Sequence, residues 1–237
     1  MTSMLPDATV RYAEHDDGVI DLHLPEVPSG RVVVLVHGGF WKLEHDRRHT
    51  REMAKALAAR GHLVATTEYR RVGGGGGWPV TCADVRDAVT RLPTLLDGLG
   101  LPGGPVTVAG HSAGGHLALW LATTDVPVRM VVALAPVSDL GAAIRLGLGD
   151  RATQAFLGEA APGPADPMTL FAHRPDAEVV IVHGDADADV PISLSRGFVA
   201  AHPWVQLHEV VEAGHMDLIV PGSSAWPTVR SALEAGD

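Results

Sequence analysis

The stretch Arg31-Val32-Val33-Val34-Leu35-Val36-His37-Gly38-Gly39 decides the fold class. Its valines are β-branched and favour extended backbone. A strand with one wet face alternates apolar and polar residues. An unbroken apolar run needs cover on both faces, the condition of a parallel sheet held between two layers of helices. The run stops at a glycine pair, which opens a turn. Similar runs recur at 63–67, 106–109, 130–134, 179–182 and 205–211, with helix-like stretches at 46–60, 82–96, 115–123 and 193–201 between them. This alternation predicts an α/β fold, a mostly parallel sheet flanked by helices. The opening stretches 9–12 and 19–24 alternate more and predict an antiparallel edge.

Two segments interrupt the rhythm. Residues 73–77 are all glycine and precede Trp78-Pro79, a loop expected to form a mobile rim. Residues 140–176 are Gly/Pro-rich and weakly helical, with Leu146, Leu148, Phe156 and Phe171 as apolar content. They predict a small cap over a site at the sheet's C-terminal edge. No repeat or linker divides the chain, so residues 1–237 are expected to form one domain.

Composition narrows the function classes. Hydrophobic residues make up 46% and charged residues 19%, enough apolar matter for a sizeable core. The formal charge of -10 argues against nucleic acid and anionic membrane surfaces as partners. One cysteine, Cys82, excludes an internal disulfide or a cysteine-cluster metal site. The stretch from Met1 to Asp17 is polar and acidic, unlike a signal segment. A soluble cytoplasmic protein with a small-molecule substrate is expected. A two-fold homodimer is the base-rate expectation.

The sharpest motif is Gly110-His111-Ser112-Ala113-Gly114, between the 106–109 strand and the helix that follows. A serine on so tight a turn presents its hydroxyl above the sheet edge, and small neighbours let strand and helix approach. A hydroxyl is a weak nucleophile near neutrality and needs a base, which needs an orienting acid. The 179–182 strand is followed by Asp185, Asp187 and Asp189, and the last strand by Gly214-His215. His215 stands out among 13 histidines by that position; the others are expected to be solvated or satisfied locally. Spacing leaves open which aspartate orients it. A calcium loop is excluded, because Val190 and Arg196 occupy the places of its glycine and glutamate. In His37-Gly38-Gly39-Phe40-Trp41, glycines let backbone N–H groups approach a developing oxyanion. The amides of Gly39 or Phe40, with that of Ala113, are the candidate donors. The five-glycine run lacks a phosphate-loop ending. His45 and His49 have no third ligand nearby and read as helix-surface residues.

These motifs together resemble the α/β-hydrolase family, from about Val32 to Trp226. The His-Gly-Gly-x-Trp form is similar to that of kynurenine formamidase and related small esterases. The family's acid lies in His-Gly-x-x-Asp-x-x-Val-Pro, which selects Asp187 here, with His183, Gly184, Val190 and Pro191 matching. The resemblance implies a triad of Ser112, Asp187 and His215, no metal and no organic cofactor. It implies hydrolysis of a small carboxylic ester or aryl formamide, with an acyltransferase or a non-enzymatic binder as alternatives. Trp41 and Trp78 are expected to wall the substrate, which favours an arylamine.

Overall fold

A computed structural model describes residues 5–235, so residues 1–4 of the acidic N-terminal stretch lie outside the described part. The strands are β1 (Ala8–Arg11), β2 (Val19–His23), β3 (Val32–Val36), β4 (Leu63–Thr67), β5 (Val106–His111), β6 (Met130–Leu134), β7 (Glu178–Gly184) and β8 (Gln206–Val210). They form one sheet in the order β1-β2-β4-β3-β5-β6-β7-β8. β1 and β2 enter antiparallel, as their alternation predicts, and every pairing from β4 to β8 is parallel. The helices are α1 (Arg51–Ala58), α2 (Val80–Gly98), α3 (Ala113–Leu121), α4 (Leu140–Leu146), α5 (Leu148–Leu157), α6 (Pro167–Leu170), α7 (Ser193–Ala201) and α8 (Trp226–Glu234).

The continuous apolarity of β3 has the expected cause. Val32, Val34 and Val36 pack in one buried cluster with Val85 and Leu92 of α2 and Leu117 of α3. Val33 and Leu35 face the opposite layer, with Met53 and Leu57 of α1 and Val229 and Leu233 of α8. Each such side chain contributes roughly 1.5–3 kcal/mol on burial. β3 lies between β4 and β5, so the chain leaves it through α1 on one face and leaves β5 through α3 on the other. At such a switch point the loops diverge and open a crevice at the strands' C-terminal ends. Both glycine motifs sit there.

Residues 140–176 carry the three short helices α4, α5 and α6. Phe156 and Phe171 are buried, whereas Leu146 is exposed. The five-glycine run is a closed turn, not a free rim: Gly74 and Gly76 N–H donate to the Arg71 carbonyl at 2.8 and 2.9 Å. Gly77 N–H donates to Thr81 Oγ1 at 2.9 Å, and Trp78 N–H to the Phe156 carbonyl at 2.7 Å. The final helix α8 was not among the helix-like stretches read from the sequence.

Of the two expectations for the other histidines, solvation does not hold for most, while local partners are found for His37 at the Gly38 carbonyl and for His183 at the Val190 carbonyl. His23, His37, His62, His111, His116, His183 and His202 are buried as well as His215. Burial, then the neighbouring His215, lowers the pKa of His111 to about 3. Burial lowers that of His116 to about 4. Both fold neutral, so below an unfolded pKa of about 6.5 the unfolded chain binds more protons. Stability is expected to be flat above that pH. It should fall on the order of 2–3 kcal/mol per pH unit as the pH drops from about 6 to 4. Urea titrations between pH 8 and 4 measure this; a constant midpoint across that window would contradict it.

Candidate active site

Ser112 links β5 to α3 with φ 57 and ψ -118, a backbone conformation that side-chain-bearing residues rarely adopt. Its N–H donates to the Leu134 carbonyl of β6 at 2.8 Å, and its carbonyl accepts from His116 N–H at 3.1 Å. The flanking glycines are required by contact. A Cβ at Gly110 would stand 2.1 Å from the Gly114 carbonyl oxygen, and one at Gly114 would stand 2.1 Å from that of Val36. The hydroxyl-bearing turn is thereby clamped between strand and helix.

Asp187 and His215 meet across two loops. Asp187 Oδ2 lies 2.6 Å from His215 Nδ1, and Oδ1 accepts from the N–H groups of Asp189 and Val190 at 2.9 and 2.8 Å. Burial works to raise the Asp187 pKa, but hydrogen bonds from His183, His215 and Val190 hold it well below the usual carboxylate range. Asp185 does other work: its carboxylate accepts from Glu212 N–H at 2.6 Å and ties the two loops together. Asp189 is exposed. Among the three acids left open by spacing, geometry therefore singles out Asp187.

The histidine loop docks on the serine turn through a residue that motif reading passed over. His111 Nε2 donates to the His215 carbonyl at 3.0 Å, with ring centroids 4.5 Å apart. Ser112 and His215 are both buried, at 2% and 9% exposure, and no hydrogen bond joins their side chains in this structure. Such contacts are often long in the free state and tighten with substrate.

Two more residues, His183 and Asp217, were given no role in the sequence reading. His183 Nε2 donates to the Val190 carbonyl at 2.9 Å and stands 3.3 Å from Asp187 Oδ2, while Ser195 meets its Nδ1 at 2.7 Å. Asp217 accepts from Gly214 N–H at 2.7 Å and closes the turn before His215. Both lie within matched motif stretches, so position was the available signal. Asp187, Asp189 and His215 bring ligand atoms within 4.8 Å of one another. His215 Nδ1 is already engaged by Asp187, so this group does not make a built metal site.

After β3, Gly39, Phe40 and Trp41 have φ of 105, 53 and 56. A Cβ at Gly38 would stand 3.0 Å from Ser112 Cβ, so this turn lies directly against the serine. Among the described residues, no protein group accepts from the N–H of Gly39, Phe40 or Ala113. Residues 140–176 rest on the same turn: Lys42 Nζ donates to the Gly149 carbonyl at 3.0 Å, and the Phe40 ring covers Gly149.

Trp41 is not a substrate wall. Trp41 is 1% exposed, stacks on Phe156 at 4.7 Å and meets His116 edge-on at 5.2 Å, which makes it core. Trp78 packs edge-on against Trp120, near the far end of α3 and about 12 Å along the helix from Ser112. Trp41→Ala is expected to destabilise the fold by about 3–5 kcal/mol. Chemical denaturation checks this; a raised KM at unchanged stability would restore the wall reading.

Comparison with known proteins agrees with this architecture. The chain is 25% identical to Esterase LipC of Mycobacterium tuberculosis over 88% of its length and spans 58% of that protein. It is 29% identical to an Acetyl-hydrolase of Streptomyces hygroscopicus over 84% of its length, which is 76% of that protein. A solved truncated carbohydrate esterase from gut microbiota superposes with TM-score 0.81 over 98% of both chains at 16% identity, a likeness of fold. The sheet and its flanking helices are those of the α/β-hydrolase fold. The BD-FAE family model matches residues 20–201, from β2 through both glycine turns and the acid loop to the end of α7, and the chain belongs to the BD-FAE family.

Proposed function

We propose that the protein is a serine hydrolase of the carboxylesterase type, cleaving a small carboxylic ester through an acyl-enzyme on Ser112. The observation that carries this reading is the strained Ser112 turn with the Asp187–His215 pair docked beside it. The names of its relatives, an esterase and an acetyl-hydrolase, support the same class.

In this mechanism His215 Nε2 takes the Ser112 hydroxyl proton as Oγ bonds to the ester carbonyl carbon. The carbonyl π pair moves onto oxygen, where the Ala113 amide and that of Gly39 or Phe40 stabilise it. Each such donor is worth roughly 2.7–4 kcal/mol of barrier. Asp187 stays ionised, holds the Nδ1 proton of His215 and steadies the imidazolium. Collapse breaks the bond to the leaving alcohol, which takes the Nε2 proton. Water then repeats the sequence on the acyl-enzyme and releases the acid. A nucleophile only 2% exposed admits a slender acyl group, and we place residues 140–176 as a fixed rim over the entrance.

An aryl formamide is the finer substrate reading, but with Trp41 in the core only Trp78 is left of its two expected aromatic walls. The test is incubation with a fluorophosphonate probe and location of the adduct, followed by assays of acid and formate release. Adduct on Ser112 with turnover of short acyl esters is expected. Formate release exceeding ester turnover would move the reading to the formamide, and no adduct on Ser112 would defeat it. Adding an alcohol acceptor separates hydrolysis from acyl transfer.

A further inference from the structure

Behind the turn after β3 lies a group of buried charges that the chemistry above leaves unused. His37 is fully buried; its Nε2 stands 2.7 Å from Glu68 Oε1 and its Nδ1 stands 2.8 Å from the Gly38 carbonyl oxygen. Tyr69 stacks on the ring at 4.2 Å and donates its hydroxyl to the His37 carbonyl at 2.7 Å. Glu68, 2% exposed, accepts from the N–H groups of Arg47 and Tyr69 at 3.1 and 3.2 Å and pairs with Arg71 at 3.1 Å. Burial works against its charge, but His37 and Arg71 lower its pKa to about 2, so it is ionised at neutral pH.

A carboxylate and a carbonyl can only accept hydrogen bonds. The Gly38 carbonyl shares its peptide group with the Gly39 N–H. In a planar trans peptide these two point in opposite directions. The His37 ring, anchored by Glu68, holds that oxygen and so aims the N–H away from the ring; linked hydrogen bonds strengthen one another. Gly38 lies against Ser112 Cβ, and Gly39 N–H has no protein acceptor among the described residues.

We infer that Glu68 and His37 are positioning residues for the oxyanion site, clamping the Gly38–Gly39 peptide so that the Gly39 N–H serves as a donor beside that of Ala113. The inference rests on the serine-hydrolase reading above and sharpens it. Neither side chain touches substrate; both act through one peptide plane.

The test compares p-nitrophenyl acetate with its thionoacetate analogue in wild type, Glu68→Gln and His37→Gln. Thiono substrates develop charge on sulfur, a poorer hydrogen-bond acceptor, and depend less on the oxyanion donors. In both variants kcat on the oxo ester should fall roughly 10- to 100-fold with KM little changed, less than the 10²–10³ of losing a donor outright. Turnover of the thiono ester should change by only a few-fold. A purely structural role lowers both substrates together, and an unfolded fraction cancels in their ratio. An unchanged ratio in a labelled, active enzyme overturns the inference alone. Failure of wild-type Ser112 to label overturns the parent reading and the inference with it. If neither variant folds, the same ratio in Glu68→Asp decides.

Discussion

Replacing Ser112 by Gly is expected to abolish ester turnover and to stabilise the fold. The loss should be on the order of 10⁶ in kcat, the magnitude for a removed nucleophile. The gain follows from φ 57 and ψ -118, a conformation that costs roughly 1–3 kcal/mol for a residue with a Cβ. Glycine adopts it freely but gives up about 0.5–1 kcal/mol of chain entropy. A net gain of about 1 kcal/mol remains, or roughly 2–4 °C in Tm for a domain of this size. Ser112→Ala is the control: it keeps the Cβ and the strain, so it should lose the same activity with no rise in Tm. Thermal melts of the two variants beside wild type read the difference. Equal melting temperatures would mean that the turn stores no strain. A higher Tm for the glycine variant alone would mark the serine turn as a place where stability was traded for a presented hydroxyl.

Replacing Asp187 by Asn is expected to lower kcat by about 10⁴ while the fold persists. Asparagine can keep its oxygen on the N–H groups of Asp189 and Val190, where Oδ1 now accepts at 2.9 and 2.8 Å. Its amide NH₂ then faces His215 Nδ1 in place of Oδ2. Two donors cannot share that contact, so the ring moves its proton to Nε2, the atom that must be bare to accept from Ser112. Asp185→Asn and Asp189→Asn should change turnover by no more than a few-fold, because neither carboxylate meets the ring. Steady-state kinetics on one short acyl ester compares all three. A larger loss at Asp189 than at Asp187 would reassign the acid.

The same contrast separates what could be read along the chain from what could not. β3 was legible because its apolar run has only one buried explanation, and α7 because its bounds follow from a periodic face. The glycines around Ser112 were legible as a tight turn, although the clashes that require them involve Val36 on another strand. Trp41 was misread because an aromatic beside a glycine turn can face in or out; Phe156 from residues 140–176 decided it. The five glycines suggested freedom, yet Arg71 and Thr81 close their turn. His37 read as part of a turn motif, with no local hint that Glu68 stands behind it.

By itself the sequence determined the alternation of strands and helices, the chain order of serine, acid and histidine, and the turns that carry them. Those properties arise from backbone preference, side-chain period and glycine freedom, which act over a few neighbouring residues. Spacing left three aspartates open; the tertiary structure bonds Asp187, the one that the family resemblance selected, to His215, 28 positions away. It alone decided that His111 carries the histidine loop, that Trp41 is core, and that a buried Glu68–His37 pair grips the Gly38–Gly39 peptide. Hydrogen bonds and burial depend on through-space distance, and that distance exists only once the sheet has brought its loops to one edge.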